Sequence, residues 1–353
     1  MPAEAPSLPW ARAARTYLQA FLGRNRGPVY LIHFITLRCN AECSHCFVPI
    51  NTGRRELSLE EIRRFAGSCP PLLYVSLTGG EPLLREDFTD IVRAYADGPA
   101  PLVVNTVTNG AFPERAESVA RRVAEECPRT LFSMAVSLDG LEEDHDRLRR
   151  RPGLFRQALE TVRRLAHLQK ELPRFRTEVQ FTLTPDNQSG AAETLRELGR
   201  LAGTDNVFFT ARRVAHGPGG SPGLSADLYR SLMERAESDW MRSGAAPALF
   251  RAVTAARNRL VHRALADGRM TLSCLAGRAA GVLWDDGTVY GCELIREPLG
   301  RLRDHGLDLA RVWAGADARA FAERVVRERC FCTHECFNAV NVAFRPHRLL
   351  TLR

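Results

Sequence analysis

Residues 39–47 read CNAECSHCF, placing three cysteines, Cys39, Cys43 and Cys46, close together in one short loop. A structural zinc site takes four protein ligands and a disulfide joins two thiols, so three thiols ask for a different explanation. The stretch directly follows VYLIHFIT (29–36), an apolar run suited to a buried strand. Three thiolates with one open position suit an iron–sulfur cluster that keeps one iron free for a further ligand. Coming straight after a strand, the loop would stand at the carboxyl end of a sheet, where parallel α/β folds place their chemistry.

Working outward, the same alternation continues. LLYVSLT (72–78), PLVVNTVT (101–108), TLFSMAVSLD (130–139), TEVQFTLT (177–184) and NVFFTA (206–211) are further short apolar runs. Amphipathic helical patterns separate them, as in SLEEIRRFAGS, where Ser58 and Glu61 spell a capping box. Six βα units over 28–216 predict an α/β fold, either a parallel barrel or an open doubly wound sheet. Residues 1–27 read as an N-terminal helical lead-in. GPGGSPG (217–223) reads as a boundary, 217–270 as a linker with two helices, and 271–353 as a C-terminal domain. Within the last, GVLWDDGTVYGCE (281–293) predicts a β-hairpin turning at Asp286-Gly287.

A chain of 353 residues, 45% hydrophobic and 25% charged, has room for a core domain and a smaller one. No apolar run approaches the ~20 residues that cross a bilayer, and the start lacks an apolar signal core, so a cytoplasmic protein is expected. The net charge is +8, yet Lys170 is the only lysine and the arginines are interspersed with acids. That dispersal argues against a nucleic-acid stripe and suits docking of an acidic electron-donor protein. The ten cysteines form two groups, the opening triplet and Cys274, Cys292, Cys330, Cys332 and Cys336; Cys69 and Cys127 are expected as buried structural thiols.

C-x3-C-x2-C with a ring before the last cysteine resembles the radical SAM superfamily. Here His45 holds the ring position, where tyrosine or phenylalanine is commoner, and Phe47 follows. TGGEPLLR (78–85) resembles that family's GGEP motif, and VTNG (107–110) and SLDG…HDRLR (137–149) resemble a subgroup of peptide-modifying and cofactor-building enzymes. The resemblance implies a partial (β/α)6 TIM-like barrel holding a [4Fe-4S] cluster on Cys39, Cys43 and Cys46. It implies S-adenosylmethionine beside Phe47, Gly79, Gly80, Glu81, Asn109, Ser137, Asp139 and Arg149. It also implies the reaction: reductive cleavage to a 5′-deoxyadenosyl radical, which abstracts hydrogen from a substrate, with electrons from a flavodoxin- or ferredoxin-type donor. Zinc and a thiol-redox pair fit less well. His45, between two of the thiols, is poorly placed to complete a tetrahedron, and a redox pair would be C-x2-C before a helix.

The spacing C-x12-G-x4-C over Cys274, Gly287 and Cys292 resembles the opening of SPASM and twitch domains, and CFCTHECF adds Cys330, Cys332 and Cys336. This implies a shorter, twitch-type domain with one auxiliary [4Fe-4S] cluster. Cys274 and Cys292 rank first as ligands, Cys332 and Cys336 next, and Cys330 is the spare. Glu293, directly after Cys292, is the candidate catalytic proton acceptor, with an arginine-paired hairpin carboxylate as the alternative. Two substrate readings stay open. One is a ribosomally made peptide that is oxidised or crosslinked; the other is a small molecule dehydrogenated or rearranged in cofactor or natural-product synthesis.

Overall fold

The computed structural model describes residues 9–213, 223–243, 248–269 and 271–348, so most of the expected boundary at 217–223 lies outside the described residues. Six strands alternate with helices as the apolar runs predict: β1 (Tyr30–Thr36), β2 (Tyr74–Gly79), β3 (Val103–Thr108), β4 (Leu131–Ser137), β5 (Phe175–Leu183) and β6 (Val207–Ala211). All pair in parallel with their sequence neighbours. Long helices follow, among them Leu59–Ser68, whose N-terminus carries the capping box: Glu61 N–H donates to Ser58 Oγ at 3.2 Å and Ser58 N–H to Glu61 Oε2 at 2.9 Å.

The helices Ala226–Ser243 and Ala248–Asp267 fall where two were expected. After them come β7 (Ala280–Leu283), β8 (Thr288–Tyr290) and β9 (Pro298–Arg301). The β7–β8 hairpin turns at Gly287, whose φ of +87° an L side chain rarely adopts. β7 pairs in parallel with β1, so the hairpin extends the barrel sheet into nine strands, in the order β6-β5-β4-β3-β2-β1-β7-β8-β9. No helix among the described residues is long and apolar enough to cross a membrane.

Strand alternation sorts the side chains. Leu31, His33, Val75, Leu77, Phe132, Met134, Val179 and Phe181 are buried against the helical layer; His33, for instance, packs on Phe65 and Tyr95. The alternate residues face inward. They include Tyr30, Tyr74, Ser76, Asn105, Ser133, Glu178, Gln180 and Thr210, so the inner wall is largely polar. Tyr30 and Tyr74, opposite each other in the β1–β2 register, stack with centroids 4.9 Å apart.

Candidate active site and metal centres

The cysteine loop leaves β1 and is laid against the end of the helix Glu142–Arg149, where Glu42 N–H donates to Arg149 O at 3.2 Å and Ser44 N–H to Leu148 O at 2.9 Å. Asn51 braces it from the other side: its Oδ1 accepts from Cys39 N–H at 3.0 Å and its Nδ2 donates to Cys39 O at 3.2 Å. Cys39 and Cys43 are half-buried and Cys46 is exposed. Burial pushes the Cys39 thiol up to about 11, and the neighbouring Cys43 and Cys46 raise it further. Thiols that act on one another in this way ionise together only with a cationic group among them. These residues fit a [4Fe-4S] cluster.

Beside this loop, β2 ends in Gly79-Gly80. A Cβ on Gly80 would stand 2.3 Å from Arg38 O and 2.9 Å from Cys39 Cβ, so only glycine lets the two chains approach this closely. Glu81 follows and is fully buried. Its Oε1 accepts from Leu83 N–H at 3.0 Å and Thr108 Oγ1 at 2.9 Å, and its Oε2 from Asn109 N–H at 2.7 Å. The carboxylate therefore ties the end of β2 to the end of β3. Asn109 is equally engaged: its Nδ2 donates to Asn40 Oδ1 at 2.6 Å and its Oδ1 accepts from Ala111 N–H at 3.0 Å.

Asp139, buried at the end of β4, forms the electrostatic centre of the rim. Its Oδ2 lies 2.5 Å from Arg149 Nη2 and 3.4 Å from His45 Nε2, while Oδ1 accepts from Thr182 N–H at 2.8 Å. Burial raises this carboxyl, but Arg149 and then His45 outweigh it and hold it below the ordinary range. Arg149 also reaches Cys43 Sγ at 3.6 Å, linking the rim to the thiols. Arg149 Nε and His45 Nδ1 are buried with no protein partner, as expected of groups that face a ligand. Ser137 is buried on the same strand end. His145, within HDRLR, accepts Asp139 N–H at 3.0 Å, and Asn187, not anticipated from the sequence, donates to Asp139 O at 2.9 Å.

The C-terminal thiols divide into two environments. Cys274, Cys292 and Cys332 are buried and Cys330 is half-buried. Burial pushes Cys292 and Cys330 each up to about 12; Cys274 raises the first further, and Cys274 and Cys292 raise the second. Cys332 is raised by burial and then by Cys274 and Cys292 in the same way. Cys274 Sγ accepts Ala276 N–H and Cys292 Sγ accepts Leu294 N–H, each at 3.4 Å, as sulfurs of iron–sulfur ligands do. Cys336 lies elsewhere: Arg213 Nη2 approaches its sulfur at 3.8 Å. Glu293 is almost fully buried between Arg213 Nη1 at 2.9 Å and His334 Nε2 at 2.6 Å. Burial raises its carboxyl, but Arg213 and then His334 hold it below the ordinary range. It is a pinned anion, as in the arginine-paired alternative. Arg213 also lies 5.5 Å from the centroid of the Phe47 ring; its position just past β6 was the only sequence signal that could have marked it.

A parallel barrel with a three-thiol loop and a glycine-backed rim at its carboxyl ends suits an enzyme that holds an iron–sulfur cluster there. Residues 34–195 match the family model of the radical SAM superfamily, a family of enzymes whose cofactors are a [4Fe-4S] cluster and S-adenosylmethionine. The chain is 38% identical over 120 residues to the GTP 3′,8-cyclase of Pectobacterium atrosepticum, a match covering 32% of this chain and 35% of that protein. It is 27% identical over 304 residues to the AdoMet-dependent heme synthase of Methanosarcina barkeri, covering 80% of this chain and 81% of that protein. The fold is shared with native anSMEcpe with bound AdoMet and Kp18Cys peptide (TM-score 0.60, 16% identity, 92% of this chain and 98% of that one). It is shared too with Streptococcus suis SuiB bound to precursor peptide SuiA (TM-score 0.59, 14% identity, 87% and 70%).

Proposed function

We propose that this enzyme carries out a net oxidation or crosslink in a ribosomally made peptide. The observation that carries the reading is that Cys274, Cys292, Cys330 and Cys332 act on one another electrostatically beside the barrel; together they would hold an auxiliary [4Fe-4S] cluster able to take up the second electron of an oxidation. Support comes from the two structures of like fold that hold peptides. When bound, the cluster on Cys39, Cys43 and Cys46 and its S-adenosylmethionine supply a carbon-centred radical that removes a hydrogen atom from the substrate. The chain's own work is placement. Gly79 and Gly80 let the end of β2 close onto the cysteine loop, Asp139 fixes Arg149 and His45 on the rim where the cofactor would be held, and Ser137 adds a hydroxyl on the same strand end.

Losing two electrons from a C–H bond also releases a proton. Glu178, on the inner wall, is better suited to receive it than Glu293. Burial pushes its carboxyl up to about 7, with Arg257 opposing, so the group titrates near neutrality. The polar wall suits a substrate with many hydrogen-bonding groups, as a peptide backbone has. We place the enzyme in the cytoplasm, where unpaired thiols persist, with a flavodoxin- or ferredoxin-type donor. A second reading, a small cofactor precursor, is favoured by the likeness to the heme synthase, which spans 80% of this chain. The test is anaerobic turnover with S-adenosylmethionine and dithionite. Peptides encoded beside the gene should raise 5′-deoxyadenosine formation at least tenfold above the substrate-free rate. A rise with tetrapyrroles and none with peptides would replace the first reading by the second.

A further inference from the structure

Five thiols compete for the four iron positions of one auxiliary cubane. We infer that Cys336 is not a cluster ligand but the free thiol of an arginine clamp that joins the two metal loops at the chamber wall. This rests on the auxiliary-cluster reading above and specifies its ligands.

Three observations carry it. Cys330 and Cys332 lie within electrostatic reach of Cys274 and Cys292, whereas the largest effects of neighbouring side chains on Cys336 come from His334, Arg213 and Tyr30. The backbone explains the separation. Cys330 and Cys332 sit on the extended segment before the helix Glu335–Ala343, while Cys336 is already the second residue of that helix. The helix start is docked on the end of β6: Glu335 Oε1 accepts Ala211 N–H at 2.6 Å and Thr333 Oγ1 donates to Arg212 O at 3.1 Å.

Charge completes the argument. The Arg213 guanidinium is shared between Glu293 Oε2 at 2.9 Å and Cys336 Sγ at 3.8 Å, so a partly buried cation has two acceptors. A guanidinium partly withdrawn from water is steadied by such partners, which replace some of its lost hydration. The clamp's third side is the Phe47 ring at 5.5 Å. Phe47 is next to Cys46 and Glu293 is next to Cys292, so one side chain touches the neighbours of a ligand in each metal loop. Arg213 is a positioning residue that fixes the two loops relative to each other. Cys336, half-buried and beside inward-facing Tyr30, would meet a small electrophile from the space a substrate would occupy.

The test uses anaerobically reconstituted protein in which Cys39, Cys43 and Cys46 are all alanine, so that only the auxiliary cluster binds iron. This background should hold about four irons. Adding Cys336→Ala or Cys336→Ser should leave them in place with an unchanged reduced-state paramagnetic spectrum, and adding Cys330→Ala should remove them. In the fully loaded wild-type enzyme, iodoacetamide should alkylate Cys336, displacing iodide, while Cys274, Cys292, Cys330 and Cys332 stay unlabelled in peptide mass spectra. Iron lost with Cys336→Ser but kept with Cys330→Ala, or Cys336 labelled only after iron is stripped, would overturn the assignment. No iron in the triple-alanine background would refute the auxiliary cluster itself and this ligand set with it.

Discussion

Replacing Glu81 separates two roles for the third residue of the GGEP motif. If its carboxylate holds the cofactor, Glu81→Gln should weaken S-adenosylmethionine binding and leave the fold intact. The observed bonds point to a brace instead. The carboxylate is fully buried and accepts from Leu83 N–H, Thr108 Oγ1 and Asn109 N–H, three donors that a shortened side chain would orphan. Each buried unpaired donor costs about 1–3 kcal/mol, and water entering the vacated space recovers part, so Glu81→Ala should lose about 3–5 kcal/mol. Glu81→Gln keeps the oxygen facing Leu83 and Thr108 but turns an amide N–H toward Asn109 N–H. That donor–donor contact should cost about 2 kcal/mol. Anaerobic urea denaturation of cluster-loaded proteins, with equal slopes, measures both. If Glu81→Gln unfolds within about 0.5 kcal/mol of wild type and only cofactor affinity falls, the bracing argument is refuted.

Four further outcomes follow from the same geometry. His33 is fully buried, and burial with Arg85 nearby lowers its ring to about 3. The unfolded chain protonates at about 6.5 and the native state does not, so stability falls with falling pH; between pH 7.5 and 5.5 wild type should lose about 1.4 kcal/mol more than His33→Leu in urea midpoints. Asp139→Asn leaves Arg149 a buried cation without its anion and should cost about 3–5 kcal/mol by the same assay; a loss under about 1 kcal/mol would show the pair to be dispensable. Gly80→Ala, whose Cβ would meet Arg38 O at 2.3 Å, should displace the cysteine loop and remove about four irons without changing far-ultraviolet circular dichroism. Alanine at Cys39, Cys43 and Cys46 together should abolish 5′-deoxyadenosine formation, and any residual production above background would deny those thiols their role.

The barrel was legible because each strand buries one face against the helices and keeps enough apolar residues on the other to read as a short apolar run between helical patterns. The strand starting at Thr177 in the sequence reading begins two residues earlier, at Phe175, where an exposed Arg176 had disguised it. The rim motifs were legible as positions but not as contacts. GGEP gave no hint that Glu81 turns away to Thr108 and Asn109, because sequence spacing carries no side-chain direction. The same limit hid the division of the last thiols. Cys332 and Cys336 are four residues apart, yet one precedes a helix and the other lies inside its first turn. Arg213 carried no motif at all, being one arginine among many.

Six strands leave a parallel barrel with two edges, and both are met by the C-terminal part of the chain. On one side β7 adds to β1 with the register Tyr30↔Ala280 through His33↔Leu283. On the other, Glu335 and Thr333 satisfy Ala211 N–H and Arg212 O at the end of β6, backbone groups that would otherwise be an open edge. Cys274 lies shortly before β7, Cys292 just beyond β8, and Cys330 and Cys332 shortly before Glu335. The segments that complete the barrel are thus the ones that carry the auxiliary thiols. A group bound by all four, as proposed, would tie the β1 edge to the β6 edge and make the auxiliary site part of the closure of the chamber, with Arg213 and Cys336 beside it.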